Sequence, residues 1–527
     1  MKHAVLALAL ISLTLVTGRA AEPEKADDAK APKTPEEVLK AEESVTSGSV
    51  AGIDYQAVAG TLVVHAKGWD DVKDSENKDN PTAAASIFYV AYFKKGAVAA
   101  ERPVTFFFNG GPGSSTVWLH MGSLGPKHVV TAEDTHTPAA PYKVVDNAST
   151  LLDASDLVFI DAPGTGFSRI AGKDKEKAFF GVDQDAYAFS RFIQTFISKY
   201  GRWNSPKFLF GESYGTPRSA VLVNLLRTDG VDFNGVILLS QVLNFDLLVD
   251  LAEANPGVDL PYEIALPTYA ATAWYHHKLP GNRPSDLTAF LKEVEHFAMN
   301  DYADALLAGA ALPADRRAAM AERLHAYTGL PVAYILKANL RITGGEFEKN
   351  LQDDANLTTG RLDTRFSGPT LDPLSKQADY DPQSAAISSA YVTAFNDYVR
   401  KTLNYGHERQ FRPSISVISS WDFKHVQPGA TFALPSLANV MADLATAMKT
   451  NPNLKVLLLG GYFDLATPYY EGIYEMQHLP IPSSLQANIS YRYYQSGHMV
   501  YANEAALKQM HADVAEFIHS TDNLAGK

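Results

Sequence analysis

The chain has 527 residues, of which 46% are hydrophobic and 20% charged, and its formal net charge is -13. This composition is typical of a packed globular protein and excludes a largely disordered one. The acidic balance argues against a nucleic-acid partner, because binding to phosphates needs clustered Lys and Arg. The chain has no cysteine, which excludes disulfides, thiol catalysis and cysteine-based metal sites.

The N-terminus is typical of a secretory signal peptide over residues 1–21. A basic start precedes an apolar run from Ala4 to Val16, and small residues follow it. The run is too short to span a bilayer comfortably. We therefore expect an exported protein, periplasmic or secreted, with no membrane span. Residues 22–46 are rich in Pro, Ala and charge and are expected to form a disordered tether.

Hydrophobic patterns beyond the tether predict an α/β fold. Two β-type runs that end near Phe93 are expected to be antiparallel strands at one edge of a sheet. Short apolar runs then alternate with helical patterns, which is typical of a mostly parallel sheet covered by helices. The alternation lapses over residues 245–412, where an Ala-rich helical pattern predicts an inserted cap. The two parts of the core are then residues 47–244 and 413–527.

One short motif predicts a nucleophile. Residues 211–215 have the sequence GESYG, directly after a predicted strand and before an amphipathic helix. A serine on such a turn projects its hydroxyl above the sheet, and the helix N-terminus favours developing negative charge. This context favours catalysis by Ser213 over an ordinary turn. The expected oxyanion hole consists of the N–H groups of Tyr214 and of Gly111, which lies in a glycine loop after an earlier strand.

Two further residues complete a predicted catalytic triad. In this type of fold an acid and then a histidine follow the serine in the chain. Asp464 lies just beyond a predicted strand, and His498 follows the strand-like residues 491–494. We predict that His498 takes the proton of Ser213 and that Asp464 orients the imidazole. No metal or other cofactor is expected, because the ligand spacings of metal sites are missing.

With these residues in view, the chain resembles the serine carboxypeptidase family, whose members have the α/β-hydrolase fold. The resemblance extends from about residue 80 to 510 and implies an exported, bacterial-type member. The segments that carry it are FNGGPGSS (108–115), DAPGTGFS (161–168), GESYG (211–215) and SGHM (496–499).

The resemblance also implies a substrate-binding set, formed by Asn109, Gly110, Glu212 and Met499. In the family the asparagine and the glutamate hold the terminal carboxylate of the substrate, and the methionine lines the leaving-group pocket. A neutral Glu212 can donate a hydrogen bond to a carboxylate, whereas an ionised one would repel it.

Three positions depart from the family pattern. Phe107 stands where the family usually has tryptophan, and Ser114 replaces a cysteine. Ser123 stands where the family commonly has a second glutamate, close to the carboxylate-binding one. Two close carboxyl groups share a proton and raise one pKa. Without that partner, we expect the protonation of Glu212 to depend on burial.

These residues predict a serine-type carboxypeptidase that releases C-terminal residues through an acyl-enzyme. An esterase or acyltransferase with the same triad is the alternative, because details of the site rather than the fold decide function. A binding protein without turnover is disfavoured, since it has no need of a complete triad. The expected partner is a peptide with a free C-terminal carboxylate, and the sequence leaves a homodimer open.

Overall fold

The structure is a computed structural model and describes residues 39–74, 80–433 and 437–524. The predicted signal peptide and most of the predicted tether lie outside the described residues. The tether was expected to reach residue 46, but strand β1 already begins at Glu42. All nine residues of β1 pair with the next strand, so backbone hydrogen bonding orders this stretch despite its polar composition.

Strands from both parts of the core form one mixed sheet in the order β1-β2-β3-β7-β4-β9-β10-β13-β14, with β8 paired to β3. Numbered in chain order, the strands are β1 (Glu42–Val50), β2 (Ile53–His65), β3 (Ala84–Lys94), β4 (Val104–Phe108), β5 (Lys127–Val129), β6 (Val144–Asp146), β7 (Asp156–Ile160), β8 (Arg169–Ala171), β9 (Lys207–Glu212), β10 (Gly235–Leu239), β11 (Leu357–Thr359), β12 (Ser367–Pro369), β13 (Lys455–Gly461) and β14 (Ile489–Tyr494).

The strands from β7 to β14 in this order all run parallel, while β1, β2 and β3 are antiparallel neighbours at one edge. The predicted α/β fold, with a mostly parallel sheet and antiparallel edge strands, is confirmed. Because neighbouring parallel strands end at the same edge, the loops that follow them meet there.

Helices cover both faces of the sheet and occur throughout the segment between β10 and β13, which also contains the short strands β11 and β12. Within the described residues, no helix is long and apolar enough to cross a membrane. Numbered in chain order, the helices are α1 (Asp71–Asp74), α2 (Val117–Gly122), α3 (Lys175–Phe179), α4 (Val182–Lys199), α5 (Gly215–Thr228), α6 (Leu260–Tyr275), α7 (Leu287–Phe297), α8 (Ala303–Ala308), α9 (Ala314–Thr328), α10 (Val332–Lys337), α11 (Gly344–Asn350), α12 (Pro382–Lys401), α13 (Met441–Thr450), α14 (Tyr469–Gln477), α15 (Ser483–Gln486) and α16 (Glu504–Thr521).

The sheet is apolar on both faces. In β4, Phe106 and Phe108 belong to the hydrophobic cluster on one face and Phe107 to the cluster on the other. This alternation follows from the two-residue period of a strand. Burial of each phenylalanine side chain contributes roughly 1.5–3 kcal/mol, so the central strands anchor the loops at their ends.

The inserted segment packs in two different ways. Helices α6 to α9 share a third hydrophobic cluster, which also takes in Phe463 and Leu465 on either side of Asp464. By contrast, Ile387 and Tyr391 of α12 belong to a cluster of the sheet. We therefore propose that the cap proper ends before α12 and that this helix is part of the core.

A charge network around the buried His425 ties the loop after α12 to two helices. His425 Nδ1 lies 2.6 Å from Asp183 Oδ1 in α4, and Nε2 lies 2.7 Å from Asp443 Oδ2 in α13. Burial alone would lower the pKa of His425, but the two carboxylates outweigh it and raise the pKa to about 9. The protonated imidazole therefore stabilises the folded state.

This network makes stability depend on pH. Since the folded pKa of His425 is raised, its contribution is complete below the ordinary value of 6.5 and is lost as pH rises through about 9. We expect His425→Asn to lower the melting temperature at pH 6 and to remove part of the wild-type decline between pH 7 and 10. Calorimetry measures both, with His511→Asn at a more exposed pair as control. An unchanged decline in His425→Asn would contradict the assignment.

Candidate active site

Ser213 lies on a sharp turn between β9 and α5. Its φ is +59°, a left-handed conformation that is uncommon for a residue with a side chain. The turn is held by the Ser213 N–H, which donates to the Leu239 carbonyl at 3.0 Å, and by the Thr216 N–H, which donates to the Ser213 carbonyl at 2.8 Å. The strained backbone presents the hydroxyl at the carboxyl edge of the sheet, as the motif predicts.

The loop after β4 lies against this turn. A Cβ at Gly110 would clash with the backbone nitrogen of Tyr214, so glycine is required for the close approach. Within the described residues, neither the Tyr214 N–H nor the Gly111 N–H donates a hydrogen bond, and both residues line the same cavity as Ser213. Two unpaired N–H groups beside a serine hydroxyl are what an oxyanion hole needs.

Asp464 forms a hydrogen bond with His498, which lines the same cavity as Ser213. The His498 Nδ1 lies 2.8 Å from Asp464 Oδ2, and both residues are buried. Thr467 holds the carboxylate with its backbone N–H at 3.0 Å and its hydroxyl at 2.8 Å. Burial lowers the pKa of His498, but the Asp464 carboxylate outweighs this effect, and the net pKa is raised. The imidazole is thereby suited to accept a proton.

Glu212, the residue before Ser213, is a buried acid in the same cavity. Burial is the main cause that raises its pKa to about 7, and the nearby charge of His498 acts in the opposite direction. The side chain of Asn109 lines the same cavity and lowers the pKa of Glu212, and its Oδ1 accepts a hydrogen bond from the Leu119 N–H at 3.0 Å. The pair therefore offers a carboxyl and an amide as donors at neutral pH and below.

The three departures from the family pattern lie in different surroundings. Phe107 is in the core, stacked between Phe159 and Phe210 with centroid distances of 4.8 and 4.9 Å. Ser114 accepts a hydrogen bond from the Trp118 indole at 2.9 Å. Ser123 donates to the Leu119 carbonyl at 2.5 Å and makes no hydrogen bond with Glu212 in the described part of the chain.

The cavity has a volume of about 290 Å³. All of the predicted site residues line it except Asp464, which lies behind His498. Their roles stay predictions. Among the described residues, no cluster of three or more His, Asp or Glu could hold a metal ion. Sequence reasoning missed further residues of the site, because they come from other elements and belong to no motif. Four of them line the cavity wall, namely Trp118, Arg361, Gln383 and Thr467. The fifth, Tyr501, forms a hydrogen bond with Glu212.

Comparison with known proteins identifies relatives of this chain. A family model described as serine carboxypeptidase matches residues 77–232. A serine carboxypeptidase-like protein of Oryza sativa subsp. japonica is 30% identical over 136 residues, which are 25% of this chain and 29% of the relative. The pheromone-processing carboxypeptidase KEX1 of Cryptococcus gattii is 29% identical over 243 residues, 43% of this chain and 34% of the relative. The chain thus matches about a third of the length of these curated relatives.

A solved structure extends the likeness over the whole fold. The prohormone-processing carboxypeptidase KEX1(ΔP) of Saccharomyces cerevisiae has a TM-score of 0.51 and covers 88% of this chain and 91% of its own, at 14% identity. At that identity the likeness supports the fold alone. The chain has the α/β-hydrolase fold. Within that fold it is similar to the serine carboxypeptidase family over residues 77–232, which contain the first three of the four segments that predicted the resemblance.

The hydrogen bond between Asp464 and His498 can be tested directly. We expect Asp464→Asn to slow the labelling of Ser213 by a fluorophosphonate on the order of a thousandfold, because the asparagine favours the wrong imidazole tautomer. Labelling rates followed by intact-protein mass spectrometry measure the effect. Asp146→Asn, at an exposed ion pair with Lys127, is the control and should label like the wild type. A rate for Asp464→Asn within a few-fold of the control would contradict the triad.

Proposed function

We propose that this protein is a serine-type carboxypeptidase that releases C-terminal residues from peptides. The observation that carries the proposal is a buried carboxyl, Glu212, whose pKa is raised to about 7 directly beside Ser213. A hydrolase of internal amides or of esters has no need of an acid there. A protein that binds a free carboxylate does, because a neutral carboxyl donates a hydrogen bond to it.

The first step forms an acyl-enzyme. His498 Nε2 takes the proton of the Ser213 hydroxyl as Oγ attacks the carbonyl carbon of the last peptide bond. The carbonyl oxygen becomes an oxyanion and accepts hydrogen bonds from the N–H groups of Gly111 and Tyr214. Asp464 stabilises the protonated imidazole. His498 then gives the proton to the nitrogen of the last residue, the C–N bond breaks, and this residue leaves as a free amino acid.

The second step hydrolyses the acyl-enzyme and regenerates the free enzyme. A water molecule gives a proton to His498 and attacks the acyl carbon, which forms the same type of oxyanion. Collapse breaks the ester bond, and His498 returns the proton to Ser213 Oγ. The shortened peptide now ends in a new carboxylate, which is again a substrate for the same site.

Recognition of the substrate depends on the state of Glu212. The protonated carboxyl and the Asn109 amide both donate to the terminal carboxylate, and the Gly110 backbone lies beside them in the cavity wall. Met499 is a buried apolar residue of the cavity wall, and we assign it to the pocket of the leaving residue. A peptide with an amidated C-terminus presents no negative charge and should bind less well.

We further propose that the protein is an exported, bacterial-type member, either periplasmic or secreted. The support is the signal-peptide pattern of residues 1–21 and the sequence that follows it. Among the relatives is a vacuolar serine-type carboxypeptidase of Saccharomyces cerevisiae, 29% identical over 149 residues. N-terminal sequencing of the mature protein and fractionation of the host test this location.

The reaction itself is tested with a blocked peptide in free-acid and amidated forms. We expect mass spectrometry to show stepwise loss of C-terminal residues from the free acid only, and no product with Ser213→Ala. Equal cleavage of the two forms, or turnover of esters alone, would contradict the proposal and favour an esterase or acyltransferase.

The pH profile follows from the pKa of Glu212. A carboxyl with a raised pKa is neutral below about 7, so kcat/KM for free-acid peptides should fall as pH rises through about 7. Hydrolysis of a small neutral ester, which needs only the triad, should not show this fall. Glu212→Gln keeps a neutral donor at every pH, and we expect it to retain the preference for free acids without the alkaline decline. A decline of equal size in Glu212→Gln would contradict the assignment of this step to Glu212.

A further inference from the structure

Tyr501 contacts the recognition acid from a part of the chain outside the predicted substrate-binding set. It lies three residues after His498, and its hydroxyl donates to Glu212 Oε2 at 2.8 Å. Both side chains are buried, at 1% and 2% exposure. The ring also fits tightly, because a Cβ at Gly122 would lie 2.7 Å from Tyr501 Cδ2. The contact is therefore an ordered part of the site.

The direction of this hydrogen bond follows from the chemistry of its two groups. The Tyr501 phenol keeps its proton because burial raises its pKa well above the usual range. It donates that proton to Glu212 Oε2 at 2.8 Å. The Asn109 amide acts on the same pair and lowers the pKa of both groups. Its Oδ1 accepts a hydrogen bond from the Leu119 N–H, which leaves Nδ2 as a donor for the substrate.

The hydrogen bond from Tyr501 decides where a neutral Glu212 carries its proton. Oε2 accepts from Tyr501, so the acid proton is on Oε1. We propose that Tyr501 is a positioning residue that holds the Glu212 carboxyl with Oε1–H directed at the terminal carboxylate of the substrate. The inference rests on the proposed carboxypeptidase function and deepens it. In this chain a tyrosine, rather than a second carboxyl, orients the acid.

The hydrogen bond between Tyr501 and Glu212 also changes the pKa of Glu212. The titratable groups around Glu212 are His498 and Asp464 from the loops after β14 and β13, Tyr391 from α12, and Tyr501 itself. Burial raises the pKa of the Tyr501 phenol well above its usual range, so Tyr501 stays a donor. Its hydrogen bond favours the ionised carboxylate and lowers the pKa of Glu212. Removal of the hydroxyl should therefore raise this pKa and loosen the orientation of the carboxyl.

The test compares Tyr501→Phe with the wild type and with Tyr398→Phe. Tyr398 is a buried tyrosine whose hydroxyl bonds to Tyr92 at 3.0 Å, so its variant controls for the loss of any buried hydroxyl. We expect Tyr501→Phe to raise KM for a free-acid peptide about fivefold at pH 6, since Glu212 is then mostly neutral and a hydrogen bond between neutral groups typically contributes about 1 kcal/mol. Hydrolysis of a small neutral ester should stay within about twofold of the wild type, because the triad is intact.

A second readout does not require turnover. Infrared difference spectra across a pH titration follow the protonated carboxyl band of Glu212, which is assigned by its loss in Glu212→Gln. The midpoint should rise by about one pH unit in Tyr501→Phe and stay unchanged in Tyr398→Phe. Should Tyr501→Phe fail to fold, 3-fluorotyrosine at position 501, a stronger donor, should instead lower the midpoint.

The outcomes separate the two proposals. An unchanged midpoint together with an unchanged KM would overturn the role of Tyr501, and equal losses on peptide and ester would overturn it in favour of a structural role. Equal cleavage of free-acid and amidated peptides by the wild type would overturn the carboxypeptidase function. That experiment uses the wild-type protein alone and requires no Tyr501 variant. A rise in both KM and midpoint, with ester hydrolysis preserved, supports the assignment.

Discussion

The close contact between the loop after β4 and the turn after β9 is the constraint on which the site depends. The two strands are parallel neighbours in the sheet, so both segments leave the sheet at the same edge. Gly110 permits the contact because a side chain there would clash with the Tyr214 nitrogen. This single approach places two unpaired N–H groups beside the Ser213 hydroxyl and brings Asn109 to Glu212. A shift of the loop would disturb both the oxyanion hole and the carboxylate site.

A buried ion pair stabilises the contact between the loop after β4 and the turn after β9. Arg218 in α5 forms a salt bridge with Asp185 in α4 at 2.5 Å, and both side chains are at most 1% exposed. The guanidinium also donates to the Asn109 carbonyl at 2.7 Å. Loss of one partner from such a pair typically costs about 3–5 kcal/mol, since the other charge stays buried. Helix α5, which begins just after Ser213, is thus connected to the loop that faces it.

The predictable and unpredictable parts of the site differ in their physical origin. The strand-turn-helix context of Ser213 is local, and so is the glycine loop after β4, because each depends on residues close in the chain. Asp464 and His498 follow from chain order and from the ends of predicted strands. Tyr501 could not be found in this way, since it is one of 25 tyrosines and its contact with Glu212 spans 289 residues. The same holds for Gln383 in α12, which no motif identifies.

The sequence by itself determined the α/β class, the parallel core with antiparallel edge strands, and the candidates for nucleophile, base and acid. These depend on hydrophobic period and on short motifs, both of which can be read along the chain. The sequence placed the end of the tether too late, at residue 46, because the polar composition of residues 42–46 gives no sign of the strand that pairs with them in the fold. Only the tertiary structure decided the protonation of Glu212, since its pKa depends on burial and on neighbours that the fold brings in from distant segments. Its orientation by Tyr501 in place of a second carboxyl likewise became visible only when β9 and the loop after β14 met at one edge of the sheet.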